Sequence, residues 1–464
     1  MRLRRITVSL SALAGIIGLL LPVTAIAAPV GASSDPPPPQ FRRVSLTTDG
    51  AQANGSSKDL VLSGDGRTAV FTSDAADLVS GAAGDGVGQV YARPLRSGKP
   101  ERISESSDGT PGDAPSQNPA VSGDGRYVVF DTASSNLDPR DVNSDEDVFI
   151  HDRVTGRTSL LTPPPATAGA SGHSGHAAIS ADGRYVAFQS FREDLVPGDT
   201  NGRVDVFVQD RWAHTIKKVS GRQDGSQSVD ASSGPTISAD GNLIGFRTGA
   251  RNVSDRPDSE PESADPTTYR SHMFAYFNMR TGKLAQAGYT PDGTMAIVLY
   301  DDYAFSPDGR YAVYAAAGLL PTSPPEASRA SRTLFKRYKM DIYVRDLKTN
   351  AVRLITTPVD GTATANSDSV HPRISGDNRT VVFSSKASNL VPGDTNGQSD
   401  VFAHDLRTGS TQRISVRPDG GQLTEASYTP VIDWKRTVGF TSDSADLVAG
   451  DTNASSDVFA RRLG

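Results

Sequence analysis

Residues 179–211 read ISADGRYVAFQSFREDLVPGDTNGRVDVFVQDR. The segment divides into a short strand, an Asp-Gly turn, a second strand closing on Phe188, a polar loop rich in Asp, Asn and Gly, and a third strand centred on Phe207. Asp-Gly between apolar runs is a strong hairpin signal, because glycine takes a positive φ without steric cost. The pattern recurs seven times. The aromatics that close the second strand are Phe71, Phe130, Phe188, Phe246, Tyr314, Phe383 and Phe440, at successive spacings of 59, 58, 58, 68, 69 and 57. The third-strand aromatics are Tyr91, Phe149, Phe207, Phe274, Tyr343, Phe402 and Phe459, which follow after 20, 19, 19, 28, 29, 19 and 19 residues. All the length variation falls in one loop of units four and five. A fixed period with localised insertions is how stacked supersecondary units read in sequence.

Each unit carries four strand-like runs. In unit two they are residues 119–122, 126–132, 147–153 and 158–162, with turns at Gly123-Asp124-Gly125 and Thr155-Gly156. Four short antiparallel strands repeated seven times predict an all-β, seven-bladed β-propeller over residues 41–464. The given chain stops just after a third strand, and residues 42–46 (RRVSL) resemble a fourth strand such as residues 412–415. The N-terminal strand is therefore expected to complete the last blade and close the ring, which removes the exposed sheet edges.

The 464 residues carry 44 Gly and 30 Pro, a turn-rich composition, and a net charge of −6 that argues against a nucleic-acid partner. The absence of cysteine excludes disulfides, thiolate metal sites and a Cys nucleophile. Arg2, Arg4 and Arg5 precede an uncharged apolar stretch and an Ala25-Ile26-Ala27 site, so residues 1–27 read as an export signal. Its removal would take the charge from −6 to −9, since it holds three arginines and no acid. Residues 28–40, with Pro36 to Pro39 in a row, read as an extended spacer. No further stretch could span a membrane, and the expected product is a secreted or cell-envelope monomer.

The run Ser122-Gly123-Asp124-Gly125-Arg126-Tyr127-Val128-Val129-Phe130, and Ser306-Pro307-Asp308-Gly309-Arg310 more closely, resembles the WD40-like PD40 repeat of TolB-type propellers. Residues 195–207 and 390–402 resemble a version of it found in exported bacterial propellers. The resemblance covers nearly the whole chain after residue 40 and implies the fold, while the family spans translocation proteins, peptidase propellers and lyases. The sequence departs from TolB in having only the short spacer before its first blade. It also lacks the Gly-x-Ser-x-Gly elbow of the propeller peptidases.

Three groups of residues are candidates for a site. The first is the residue four before the Ser of each turn motif: Asp59, Asn118, His176, Gly234, Asp302 and His371, with Tyr428 in the degenerate blade seven. Such a ring at the channel mouth suits either a ligand-binding wall or a metal or acid–base centre using His176 and His371. The second is the Asp/Asn loop: Asp141, Asn143, Asp145 and Asp147; Asp199, Asn201 and Asp205; Asp394, Asn396 and Asp400; and Asp451, Asn453 and Asp457. Oxygen ligands at alternate positions suit Ca²⁺, and hydrogen-bonded Asx turns account for the same spacing. The third is the pair of inserted loops, acidic in blade four and basic in blade five. Arg332 and Arg337, together with Tyr300 and Tyr303 near the start of blade five, are candidate ligand contacts. The function expected is a binding scaffold for a protein, peptide or envelope glycan, needing no cofactor, with Ca²⁺ the one candidate ion. The alternative is an extracellular polysaccharide-acting enzyme of the metal-assisted lyase type.

Overall fold

The structure, a computed structural model, describes residues 41–79, 87–96, 98–164, 172–222, 225–228, 230–249, 272–317, 339–362 and 364–463. The export segment, the spacer and most of both inserted loops, including Arg332 and Arg337, lie outside them.

Seven four-stranded antiparallel sheets form the ring. In blade two the strands are Ser116–Val121, Tyr127–Thr132, Asp147–Asp152 and Arg157–Leu160. The closing aromatics set the core, because each second-strand ring stands opposite a third-strand ring: Phe130 on Phe149 at 6.0 Å, Phe188 on Phe207 at 5.8 Å, Phe383 on Phe402 at 5.6 Å. Such a cross-strand aromatic pair adds about 1 kcal/mol beyond its area burial. Blade four breaks the series. Its third strand is shifted by one residue, so that Ala275 faces Phe246 and Phe274 faces Arg247. Phe274 instead stacks on Tyr303 of blade five at 4.2 Å.

The Ser-x-Asp-Gly-Arg turn is a self-contained hydrogen-bonded unit. In blade two Ser122 Oγ donates to Asp124 Oδ1 at 2.7 Å, and that oxygen also accepts the Arg126 N–H at 3.0 Å. Gly125 takes a φ of 76° to close it. The turn arginine then reaches the last residue of the third strand, pairing Arg126 with Asp152, Arg184 with Asp210, Arg310 with Asp346 and Arg379 with Asp405.

The ring closes as the sequence predicts. Arg42–Arg43 pairs antiparallel with Asp457–Arg462, placing Arg43 opposite Phe459. Val44 N–H donates to Val458 O at 2.8 Å, and Val44 is almost fully buried.

Candidate functional site at the channel mouth

In six blades the innermost strand begins earlier than its sequence pattern suggests, at Ser116 rather than residue 119 in blade two, because it contains a β-bulge. In blade one Lys58 faces Thr72 and Val61 faces Val70, leaving Asp59 and Leu60 opposite Phe71 alone. The first bulged residue is left-handed in six blades: Asp59 (φ 52°), Asn118 (51°), His176 (52°), Gly234 (61°), His371 (54°) and Thr429 (47°). Asp, Asn, His and Gly tolerate this conformation best. The ring that reads as a chemical constellation is thus first of all a set of residues suited to a strained backbone. Pro119, Pro235, Pro372 and Pro430 follow the bulged residue, at a position where proline's missing N–H is tolerated.

Two positions differ from the sequence expectation. Blade seven presents Thr429, not Tyr428, since Asp433 replaces the turn serine and the turn is one residue shorter. Blade five has no bulge, and Asp301 lines the cavity while Asp302 turns away into the wall.

The six bulged residues, with Asp301, Tyr303 and Arg373, line one cavity of about 340 Å³. A second row of side chains, each next to the closing aromatic of its second strand, supports this rim. Thr72 Oγ1 donates to Asp59 Oδ2 at 2.8 Å. Asp131 Oδ2 accepts Asn118 Nδ2 at 3.0 Å and the His176 N–H at 2.6 Å, tying blade two to blade three. Gln189 Oε1 accepts the Gly234 N–H at 2.8 Å, and Arg247 Nε lies 2.9 Å from Asp301. Tyr303 is buried and donates to Gly234 O at 2.6 Å. Tyr300 is exposed.

Burial dominates the electrostatics. Asp131 is wholly enclosed, its Oδ1 has no hydrogen-bond partner, and desolvation pushes its carboxyl up to about 7 against the opposing pull of the His176 N–H and Asn118. His371 Nε2 lies 3.6 Å from Asp302, and burial outweighs that carboxylate, holding the imidazole below its usual value. Burial likewise lowers Arg373, whose Nη1 donates to Pro372 O at 2.8 Å. His176 and His371 stand on the same rim, three blades apart. Among the described residues no group of three or more His, Asp or Glu side chains is arranged to hold a metal.

The cavity has a floor. Arg373 borders both the mouth and a deeper cavity of about 190 Å³, whose far wall includes Trp434. Trp434 occupies the x position of the turn motif, held elsewhere by Gly64, Gly123, Ala181, Ala239, Pro307 and Gly376. Those small residues chain blade to blade, Gly123 N–H to Ala181 O, Ala181 N–H to Ala239 O and Ala239 N–H to Pro307 O. A Cβ built on Gly64, Gly123 or Gly376 would fall within 2.6 Å of Trp434, so the indole lies across the end of the channel. The ligand route is therefore one-sided. Asp131, Gln189, Arg247, Arg373 and Trp434 were not singled out by sequence pattern. The sequence signal for Trp434 was a bulky residue where six repeats have a small one.

In three of the Asp/Asn loops a basic side chain lies among the carboxylates. In blade three Lys218 Nζ lies 3.0 Å from Asp199 and 2.5 Å from Asp205. In blade six Arg413 Nη1 lies 3.5 Å from Asp394 and 3.2 Å from Asp400. In blade seven Arg43 lies 2.7 Å from Asp451 and 3.2 Å from Asp457. A cation from the fourth strand sits where an ion would. Asn201 and Asn396 accept an N–H two residues on and donate to a carbonyl of the next inter-blade segment, as Asx turns do. Blade two has Leu160 in that fourth-strand register and no such cation.

No family model matches the chain, and no curated protein matches it. Solved structures do. An oligogalacturonate lyase from Vibrio parahaemolyticus aligns over 92% of this chain and 97% of its own, at 11% identity and a TM-score of 0.51. TolB from Acinetobacter baumannii aligns at 15% identity and TM-score 0.36, covering 64% of this chain, which spans about half the length of that structure. The β-propeller domain of the Trilobed protease from Pyrococcus furiosus gives 11% identity and TM-score 0.49, covering 88% and 93% of the two chains. At these identities the likeness is one of fold. Fold and site together define a seven-bladed propeller whose polar cavity opens on one face.

Proposed function

We propose that the chain is an exported PD40-like binding propeller that receives the polar end of a peptide or glycan chain in its channel mouth. The observation that carries this reading is the one-ended cavity, walled by Asp59, Asn118, His176 and Asp301 and floored by Arg373 above the Trp434 closure. Pockets of about 300 Å³ and above with a few fixed polar groups suit small ligands or chain ends. A buried cation at the floor favours an anionic group entering end-on, such as a chain-terminal carboxylate, because it regains a partner in a water-poor site. The rim carboxylates and amides offer hydrogen bonds to the flanking polar groups. The motif resemblance and the residue 1–27 segment support export, and among the described residues no helix is long and apolar enough to cross a membrane. The inserted loops of blades four and five spring from strands that end on this face, and extend the reading to a partner larger than the cavity.

Immobilised peptide and oligosaccharide arrays test it. Wild type should retain probes with a free terminal carboxylate, and Arg373→Gln should lose them with its melting temperature little changed. Deletion of residues 254–268 should weaken only the longer probes. Equal retention by wild type and Arg373→Gln would remove the mouth as the binding site. The enzyme alternative rests on His371 beside Asp302 with Arg373 nearby, which offers one base and one cation. It predicts a rise in ultraviolet absorbance when a polyuronate is cleaved by elimination, abolished in His371→Asn.

A further inference from the structure

The arginine–aspartate pairing on the turn face is made in four blades and missing from three. The third-strand residue that receives the turn arginine is Asp152, Asp210, Asp346 or Asp405 in four blades, while blade four has Asn242 in place of the arginine and Asn278 in place of the acid. In the two blades that meet at the ring closure the same register holds Pro94, opposite Thr68, and Arg462, opposite Thr437. Blade one thereby removes the acid that would bind its turn arginine, and Arg67 is left largely exposed, 3.7 Å from Asp65. Blade seven replaces the acid with a cation. The result is a local surplus of positive charge on a chain whose net charge is −6.

These changes converge on one cleft of about 430 Å³, lined by Arg42, Arg67, Arg96, Lys435, Arg461 and Arg462 against only Asp65 and Asp433. Each acid gives its Oδ1 to its own turn, while Asp433 Oδ2 is buried without a hydrogen-bond partner. Asp65 Oδ1 accepts Ser63 Oγ and the Arg67 N–H, and Asp433 Oδ1 accepts the Lys435 and Thr437 N–H groups, each at 2.7 Å. Arg461 has its guanidinium 4.8 Å from the Phe41 ring and its Nε buried without a hydrogen-bond partner. Six like charges in one concavity repel one another and raise the local concentration of anions.

We propose that this seam cleft binds a compact multivalent anion, one carrying closely spaced oxyanions as an oligophosphate or an oligocarboxylate does. The arginine forks suit planar or tetrahedral oxyanions. A duplex or a lipid surface fits less well, since the cations are gathered in a concavity instead of spread along a track or a flat face, and the rest of the chain is acidic. The cleft lies on the face opposite the channel mouth, so the inference does not depend on the mouth's ligand.

Isothermal titration with tripolyphosphate and, separately, with trigalacturonate tests it. Saturable binding of either that Arg462→Asp weakens supports the cleft, and the pair distinguishes phosphate from carboxylate sources. Binding should weaken steeply as salt is added. Arg462→Asp places the acid that four other blades tolerate in this register, so it should fold normally, and it should weaken binding at least about tenfold, the equivalent of one charge-assisted contact. Arg67→Gln should weaken it less. No binding of either probe, or binding unchanged in Arg462→Asp, would overturn the proposal. Arg373→Gln at the mouth should leave tripolyphosphate binding intact.

Discussion

Two residues on the rim show how a backbone requirement can resemble chemistry. His176 invites a catalytic reading, and its left-handed φ of 52° gives a sufficient structural one. The two make opposite predictions. His176→Gly should melt at or slightly above wild type, because glycine takes the bulge without strain, and His176→Val should lose about 1–2 kcal/mol. A His176→Gly protein that keeps its stability and loses ligand retention would return the residue to the site. Asp131, which supports His176, carries a pH signature. Its carboxyl titrates near 3.8 when unfolded and near 7 when folded, so the folded chain holds an extra proton between those values. Its contribution therefore becomes steadily less favourable as pH rises through that window, by about 1.4 kcal/mol per unit at most, and is level above it. Asp131→Asn keeps an acceptor for Asn118 and the His176 N–H and cannot ionise. Melting curves from pH 4.5 to pH 8 (roughly spanning this window) should show the variant gaining on wild type by several degrees; parallel curves would mean that Asp131 is ionised throughout. No sequence pattern marks Asp131, since a buried polar residue beside a strand aromatic has no periodicity of its own. The bulged ring was legible by position because it keeps a fixed distance from the turn serine. Two blades escaped it: blade seven, whose shortened turn shifted the reading from Thr429 to Tyr428, and blade five, which lacks the bulge and presents Asp301 in place of Asp302.

At the scale of the element, the Asp/Asn loop is a carboxylate socket that the protein fills in several ways. Lys218, Arg413 and Arg43 fill it from the fourth strand, and in blade five Lys339, preceding the third strand, lies 3.3 Å from Asp341. Blade two fills it with nothing comparable. Asp147 accepts Thr162 Oγ1 at 2.9 Å, burial pushes its carboxyl up to about 6, and Asp141 Oδ2 is buried with no hydrogen-bond partner. Arg192 is near, but it is engaged with Asp194 and Pro163 O. The socket's motif was legible in sequence as oxygen ligands at alternate positions; its plug was not, because the cation stands on another strand. Leu160→Lys puts a cation in the register of Lys218 at the expense of a buried leucine, so it should cost about 2 kcal/mol or more at low pH, the cost shrinking above pH 6 as Asp147 ionises beside the new cation. If blade two instead takes Ca²⁺, with Asn143 and main-chain oxygens completing the shell, added Ca²⁺ should raise the melting temperature of wild type and not of Leu160→Lys. Wild-type melting unmoved by Ca²⁺ would end the ion reading for blade two.

At the scale of the whole molecule, one short segment joins both ends of the ring. The sequence shows the spare strand because residues 42–46 match the fourth strand of other blades, yet its job exceeds two ladder pairs. Arg43 neutralises Asp451 and Asp457, Ser45 Oγ donates to Asp457, Phe41 meets Phe440 edge-on at 5.2 Å, and the Leu46 carbonyl accepts Arg93 of blade one at 2.6 Å. The segment thus touches the sheet it completes and the sheet that follows. Cutting the chain after residue 46 would leave two buried carboxylates unpaired, worth about 3–5 kcal/mol by themselves, and would uncover Val458 and Ala460 along a free strand edge. The truncated protein should unfold at least about 5 kcal/mol more readily in denaturant once the burial of Val44 is included, and should associate with concentration through the exposed edge on size-exclusion chromatography. Arg43→Ala alone should account for more than half of the loss. A synthetic peptide of residues 41–50 added in trans should restore much of the stability and suppress association, since the rest of blade seven is preformed by the pairing of Thr437–Ser442 with Asp457–Arg462. A truncated chain that melts with the wild type would mean that the ring is held by the inter-blade cores alone, and that the N-terminal strand closes a gap without bearing its strain.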